Sequence, residues 1–268
     1  MTLNTNGAVY PETGPRSWAQ RAPLTVGLIQ QCAPNIIGFQ EVNQGNLTTF
    51  AEQLPAYQHV VGNAYGDNPP AEYTSIFWKA ARFTAIDSGE FWLSQTPTLP
   101  SCDWNVPYPM GATWVRLQDR TDGQHVLIVN THFEDGSDGE LSRVEGSKLI
   151  VAQIAHLAPD FPSIITGDFN CNPVSAAYNH FMTAGFVDTY HAAGHSDGTD
   201  SAFHGFVGEQ YNPIEWGGVG PFWRIDWILA RSGTQPSQIR SCRIIRDAQP
   251  PIYPSDHYPV LAEIELNH

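Results

Sequence analysis

Five short stretches of the 268-residue chain each set a carboxylate, amide or imidazole at the end of an apolar run. "GFQEV" carries Glu41, and "VNTHF" carries Asn130 and His132. "ITGDFN" carries Asp168 and Asn170, "RIDWI" carries Asp226, and "SDHYPV" carries Asp256 and His257. Strand ends and the loops beyond them are where a rigid sheet presents reactive groups. If these ends converge, they build a cluster of carboxylates, amides and imidazoles suited to metal or phosphate chemistry. An oxygen-rich set of this kind favours Mg²⁺ or Mn²⁺, whereas structural zinc prefers Cys and His.

Each piece alone has a plainer meaning. Glu41 in a lone "QE" reads as a surface acid at a strand end. His132 reads as a hydrogen-bonded core histidine, and "GDFN" as a turn, since Gly, Asp and Asn favour turns. Asp226 lies between Ile225 and Trp227, so its side chain faces opposite to both. A buried acid there needs a partner, either an arginine or a histidine. The joint occurrence of these residues points to a site.

The elements that must position them are mostly short and β-like. Such runs occur at 35–42, 73–78, 112–117, 125–133, 163–169, 224–230, 239–245 and 259–266. Residues 18–32, 141–157 and 175–185 read as helices, the last with a glycine stop. In the second, Leu141, Val144, Leu149, Ile150 and Ile154 fall near one face at helical spacing. Dense Pro and Gly mark 62–72, 94–111 and 205–221 as loops. Alternation after the run 163–167 is expected to put Asp168 and Asn170 on one side, with Phe169 turned to the core. Many strands with interspersed helices suggest an α/β layered sandwich of two packed sheets with helices outside. No repeat or linker-like shift of composition breaks the chain, so residues 1–268 are expected to form one domain.

Composition narrows the function. Hydrophobic residues make up 41% and charged residues 15%, enough apolar material for a sizeable core. No apolar run approaches the roughly 18 residues a membrane span requires. The stretch MTLNTNGAVY lacks the basic and apolar parts of a signal peptide. Cys32, Cys102, Cys171 and Cys242 are scattered without CxxC spacing, so free buried thiols are expected rather than a disulfide framework. These features lean towards a cytoplasmic protein, with a monomer as the default. A formal net charge of −14 opposes loose electrostatic binding to nucleic acid. It leaves room for a nuclease, because carboxylates that bind divalent cations invert the local field.

The ordered set "MTLN", "GFQEV", "NTHF", "TGDFN", "RIDWI" and "SDHYPV" resembles the endonuclease/exonuclease/phosphatase superfamily across residues 2 to 261. "SGEFWLSQTP", "FHGF" and "RIDWILA" resemble a bacterial branch whose members mostly lack an assigned substrate. The resemblance implies a deoxyribonuclease I-like, four-layer α/β sandwich of two mostly antiparallel sheets with flanking helices. It implies a divalent-cation-dependent hydrolase of phosphate esters. Glu41 would ligate the cation, with Asp256 close to it. Asn4 would hold phosphate or groups around the metal, and Asn130 would belong to the same phosphate-binding set. His132 would hydrogen-bond a non-bridging oxygen and Asn170 would hold another. Asp168 would orient or deprotonate the attacking water, and His257 would lie against the scissile phosphate with its tautomer fixed by Asp226. Which of Asp168 and His257 is the base stays open, as does the number of metals. Related sequences often carry an arginine before "ATWV", where this chain has Met110; Arg143 is the candidate to replace that charge.

A phosphomonoester and a phosphodiester can be hydrolysed by the same core, and loops choose between them. The loops here are aromatic, with Trp78, Phe91, Trp92, Trp104, Tyr108, Phe203, Phe206, Trp216, Phe222 and Trp223 as packing residues or as a stacking wall. His204 in "SAFHGF" is a candidate substrate contact by resemblance. Three readings follow: an enzyme acting on a small phosphorylated substrate, with a sugar as one option; a nuclease; and a catalytically inactive binding module. Acidic charge favours the first, and the full set of core residues disfavours the third. A narrow pocket between the 94–111 and 203–223 loops would favour a small substrate, and an open basic cleft would favour nucleic acid.

Overall fold

The computed structural model describes residues 1–7, 13–65, 71–197, 200–212 and 224–266. Two six-stranded sheets lie face to face. The first runs β11 (Gln238–Ile244), β12 (Val260–Glu265), β1 (Thr2–Asn4), β2 (Ile36–Val42), β4 (Glu72–Lys79) and β3 (Tyr57–Tyr65). The second runs β5 (Phe83–Trp92), β6 (Gly111–Asp119), β7 (His125–His132), β8 (Ser163–Asp168), β10 (Asp226–Arg231) and β9 (Val187–Asp188). Among the described strands only β1–β2 and β7–β8 pair in parallel. A parallel pair needs a long crossover. Helices α1 (Trp18–Cys32) and α3 (Glu140–Leu157) supply them. Helices α2 (Gln44–Gln53), α4 (Ala176–Thr183) and α5 (Thr189–Ala192) complete the fold.

Period-two alternation sorts each central strand into two faces. In β2, Ile37 and Phe39 pack with Trp18, Val26, Ile29 and Phe50 of α1 and α2. In β7 and β8, Leu127, Val129 and Ile165 pack with Ile150, Ile154, Ala177 and Phe181 of α3 and α4. The opposite faces meet between the sheets, where Ile76 and Trp78 of β4 touch Val115, Leu117, Val126 and Ile128. Helix, sheet, sheet and helix therefore stack as four layers, the architecture expected from the resemblance.

Towards one end the space between the sheets turns polar. Asn130 of β7 donates through Nδ2 to the carbonyls of Phe39 and Ser75, at 2.7 and 3.1 Å. Its Oδ1 accepts from Gln40 at 2.6 Å and from Thr166 at 2.9 Å. The two sheets are thus bonded through one side-chain amide. Gly38 makes room for it: a Cβ there would overlap Thr166 Oγ1 and Asn130 Oδ1.

Several elements differ from expectation. β3, β5 and α2 lie where neither strand nor helix was anticipated, and β3 extends to Tyr65 inside the expected 62–72 loop. The buried face of α3 is Ser142, Arg143, Gly146, Ser147, Ile150 and Ile154, while Leu141 is exposed. Ile150 and Ile154 lie on the inner face as expected, while the first half of that face is made by Ser142, Arg143, Gly146 and Ser147 in place of apolar residues. Trp78, Phe91 and Trp92, counted among loop aromatics, are buried strand residues. All four cysteines are free, Cys171 and Cys242 buried and Cys102 exposed. No described helix is long and apolar enough to cross a membrane.

Gly38→Ala should lower unfolding free energy by about 1–3 kcal/mol through overpacking. Chemical denaturation of the two proteins measures the difference.

Candidate active site

Three of the expected residues form one row across the second sheet. His132 pairs with Asp168 in the β7–β8 register, and Asp226 pairs with Asp168 in the β10–β8 register. Neighbouring strands place such side chains on the same face. Alternation in β8 sends Thr166 and Asp168 between the sheets, while Phe169 stacks on Trp227 at 4.3 Å in the core beneath. Asn170 departs from the simple alternation expected. β8 ends at Asp168, and Asn170 has a left-handed φ of 47°. Asp168 Oδ1 accepts the Asn170 backbone N–H at 3.0 Å, an Asx turn that brings the amide back to the site.

The first sheet contributes Asn4 and Glu41. By alternation with Ile37 and Phe39, Glu41 would point towards the helices. The register of β2 against β4 shifts between Phe39 and Val42, and Glu41 sits at a φ of 51°. A β-bulge of this kind re-aims a side chain. Glu41 Oε1 consequently meets Asn4 Nδ2 at 2.7 Å, and the same amide nitrogen donates to Asp168 Oδ2 at 2.9 Å. Asn4 thereby joins a carboxylate of each sheet.

His257 precedes β12 and completes the group. Its Nδ1 lies 2.9 Å from Asp226 Oδ2, and its Nε2 lies 3.6 Å from Asp168 Oδ2. The histidine, not an arginine, is the partner of Asp226. Arg224, two residues earlier, is engaged with Asp188 and Asp197 at 2.5 and 2.6 Å. Phe203 forms an antiparallel bridge with His257 and sets its ring 5.0 Å from the imidazole. His132 Nε2 stands 3.1 Å from Asn170 Nδ2, 3.6 Å from Asp168 Oδ2 and 3.9 Å from Glu41 Oε1.

Burial governs the electrostatics. It raises the Glu41 pKa to about 7, with Asp256 and Glu72 adding to the rise and His132 opposing it. It raises Asp226 to about 6 against the pull of His257. Burial also disfavours charge on His257, but Asp226 and Asp168 outweigh it and hold the imidazole well above its ordinary value. Ligating atoms fall into two sets, Glu41–His132–Asp168 and Asp168–Asp226–His257, each within 4.8 Å. Asp226 Oδ1 is buried without a hydrogen-bond partner among the described residues. Crowded carboxylates of this kind fit a hard divalent cation, whose charge removes the cost of keeping them ionised.

The remaining expected residues sit elsewhere. Asp256 lies outside both compact sets; Asn6 Nδ2 donates to its Oδ2 at 2.8 Å. Asn130 spends its amide between the sheets, as described above, and does not open onto the cluster. Arg143 donates through Nη1 to the carbonyls of Glu134 and Gly136, at 2.7 and 3.0 Å, and so braces the loop after β7. Met110 is a buried core residue. His204 is only 1% exposed, with its ring 4.0 Å from that of Tyr258 and 4.9 Å from that of Tyr253. Trp216, Phe222 and Trp223 lie outside the described residues, as does much of the 203–223 loop. Sequence reasoning missed Asn6, Arg21 and Glu72. Glu72 opens β4 within the field of Glu41 and His132, and burial raises its pKa. Only the Asn-Gly turn of "TNG" hinted at one of the three.

Burial also lowers the His204 pKa from 6.5 to about 3. The unfolded chain therefore binds a proton between those values that the folded chain does not, and stability falls as pH drops. This residue should contribute up to about 1.4 kcal/mol per pH unit to that decline. Denaturation of His204→Asn between pH 7 and about pH 4 should show a shallower loss than the parent protein.

Known proteins share this fold. The endonuclease/exonuclease/phosphatase family pattern matches residues 1–257. An endonuclease/exonuclease/phosphatase from Bacteroides vulgatus is 27% identical, with a TM-score of 0.86 over 99% of this chain and 97% of that one. A mannosyl-6-phosphatase of Bacteroides thetaiotaomicron is 25% identical, with a TM-score of 0.84 over 98% and 97% of the two chains. An uncharacterised protein of Acanthamoeba polyphaga mimivirus is 25% identical over 162 residues, which span 57% of this chain and 59% of that protein. The chain belongs to the endonuclease/exonuclease/phosphatase family of phosphoesterase hydrolases.

Proposed function

We propose that the protein is a divalent-cation-dependent phosphomonoesterase acting on a small, sugar-containing phosphate. One observation carries the metal-dependent chemistry: Glu41, His132 and Asp168 converge beside the Asp168–Asp226–His257 group. The likeness to a mannosyl-6-phosphatase over nearly the full length of both chains supports the sugar monoester. So does the net charge of −14, which disfavours a polyanionic partner.

Glu41 would hold the cation, with Asp256 close by, and Mg²⁺ or Mn²⁺ fits the oxygen donors. A bound cation would draw charge from a phosphoryl oxygen. The other roles belong to the chain itself. His257, kept protonated by Asp226 and Asp168, stabilises negative charge that builds on the phosphate. A protonated imidazole cannot take up another proton, which leaves Asp168 to orient and deprotonate the water. Asp226 holds the His257 ring through Nδ1, so Nε2 faces the substrate. His132 and Asn170 offer donors for non-bridging oxygens, and Asn4 fixes the spacing of Glu41 and Asp168.

Phosphate release from hexose phosphates and from a chromogenic diester tests this reading, with Mg²⁺, with Mn²⁺ and with chelator. The monoesters should be cleaved only with metal, and Asp168→Asn should lower the rate by about 10²–10⁴. Preferential cleavage of the diester would move the protein to the nuclease reading. Metal binding without turnover of either ester would favour the binding module. Asp226→Asn should lower kcat by about 10²-fold or more with little change in KM, because it disturbs a group needed only as charge develops.

A further inference from the structure

Arg21 lies on α1 and is fully buried. An arginine has five N–H donors. Here all of them go to main-chain carbonyls. Nε donates to Arg16 at 2.7 Å, Nη1 to Thr5 at 2.8 Å and Pro254 at 3.0 Å, and Nη2 to Asn6 at 3.1 Å and Gly7 at 2.6 Å. Among the described residues no carboxylate pairs with it. Its charge is retained nonetheless: burial lowers its pKa only to about 10, with Asp256 and Glu41 opposing the fall.

Four of the five carbonyls come from the two segments that flank the site. Residues 5–7 wrap around the guanidinium, with Asn6 and Gly7 at left-handed φ values of 52° and 49°. Because their carbonyls turn inward to Arg21, the adjoining amides are free to face the acids. Asn4 donates to Glu41 and Asp168, and Asn6 donates to Asp256. On the other side Pro254 stands two residues before Asp256. Thr25, one turn along α1, reaches the same Pro254 carbonyl at 2.9 Å.

We infer that Arg21 is a positioning residue that sets the gap between Glu41 on one wall of the cation site and Asp256–His257 on the other. This inference rests on the cation site proposed above. The guanidinium acts as a template whose planar fork fixes both segments at once, a geometry that a lysine ammonium cannot reproduce. Residues behind a ligand set govern affinity by orienting the ligands.

The test is a titration of the chelator-stripped, full-length protein with Mn²⁺ alone, followed by the EPR signal of the free ion, beside a thermal melt. Arg21→Lys should weaken Mn²⁺ binding by about 10-fold or more while the protein remains folded at the titration temperature. Thr25→Val removes the second bond to Pro254, together with the hydroxyl's contact to the Arg21 carbonyl within the helix, leaves the guanidinium in place, and should weaken binding by a smaller factor. It carries the test if Arg21→Lys fails to fold. Variants that melt lower yet bind Mn²⁺ like the parent would overturn the inference and leave Arg21 a residue of stability alone. A parent protein that binds no Mn²⁺ would overturn the cation site itself, and the inference with it.

Discussion

Asn4 donates from one sheet to a carboxylate on the other, and everything at the site depends on holding that span to a single hydrogen bond. Sheets packed face to face keep their backbones about 10 Å apart, a gap that apolar side chains ordinarily fill. Here the filling changes along the strands. Ile76, Trp78, Val115 and Ile128 fill the middle, while Asn130, Gln40 and Thr166 bridge the sheets nearer the acids. A side-chain amide with every bond made tolerates little displacement, because an unmade bond in a buried place costs about 1–3 kcal/mol. Gly38 allows the approach by occupying no space. The sheets are thus fixed against each other by directional bonds immediately behind the place where geometry matters.

The acids gathered there repel one another and lose hydration, which is why burial raises both Glu41 and Asp226. The protein answers with two cationic groups of different kind. His257 is charged by its contact with Asp226, and Arg21 acts through its field while its hydrogen bonds go to the backbone. The remaining deficit is what a divalent cation fits. The net charge of the chain and the charge of this cluster share a sign, so the surroundings favour a small cation more than a large polyanion.

Much of this was legible in the sequence, and the gaps have physical causes. The strands bearing Asp168, His132 and Asp226 are central and apolar, and they stand out. β3 and β5 are edge strands, with one face or more open to water, so their alternation is diluted by polar residues. α2 buries only Asn46 and Phe50 and carries almost no apolar stripe. The residue types of the site were readable from their motifs; a buried Asp226 called for an arginine or a histidine, and the family resemblance implied that the partner is His257. What could not be read was direction. Glu41 reaches the site only through a bulge, Asn170 only through an Asx turn, and Asn130 turns away into the seam between sheets. Arg21 looked like one polar residue on a helix, because its partners are backbone atoms that no motif records.

The order of strands in the first sheet has a consequence for the newborn chain. β1 is held between β2, which follows it closely in sequence, and β12, which lies near the other end of the described chain. His257 arrives with β12 and Asp226 with β10. A ribosome that has already delivered Glu41, His132 and Asp168 has yet to deliver Asp226 and His257. The cluster of Glu41, His132, Asp168, Asp226 and His257 is therefore complete only once β12 has paired with β1.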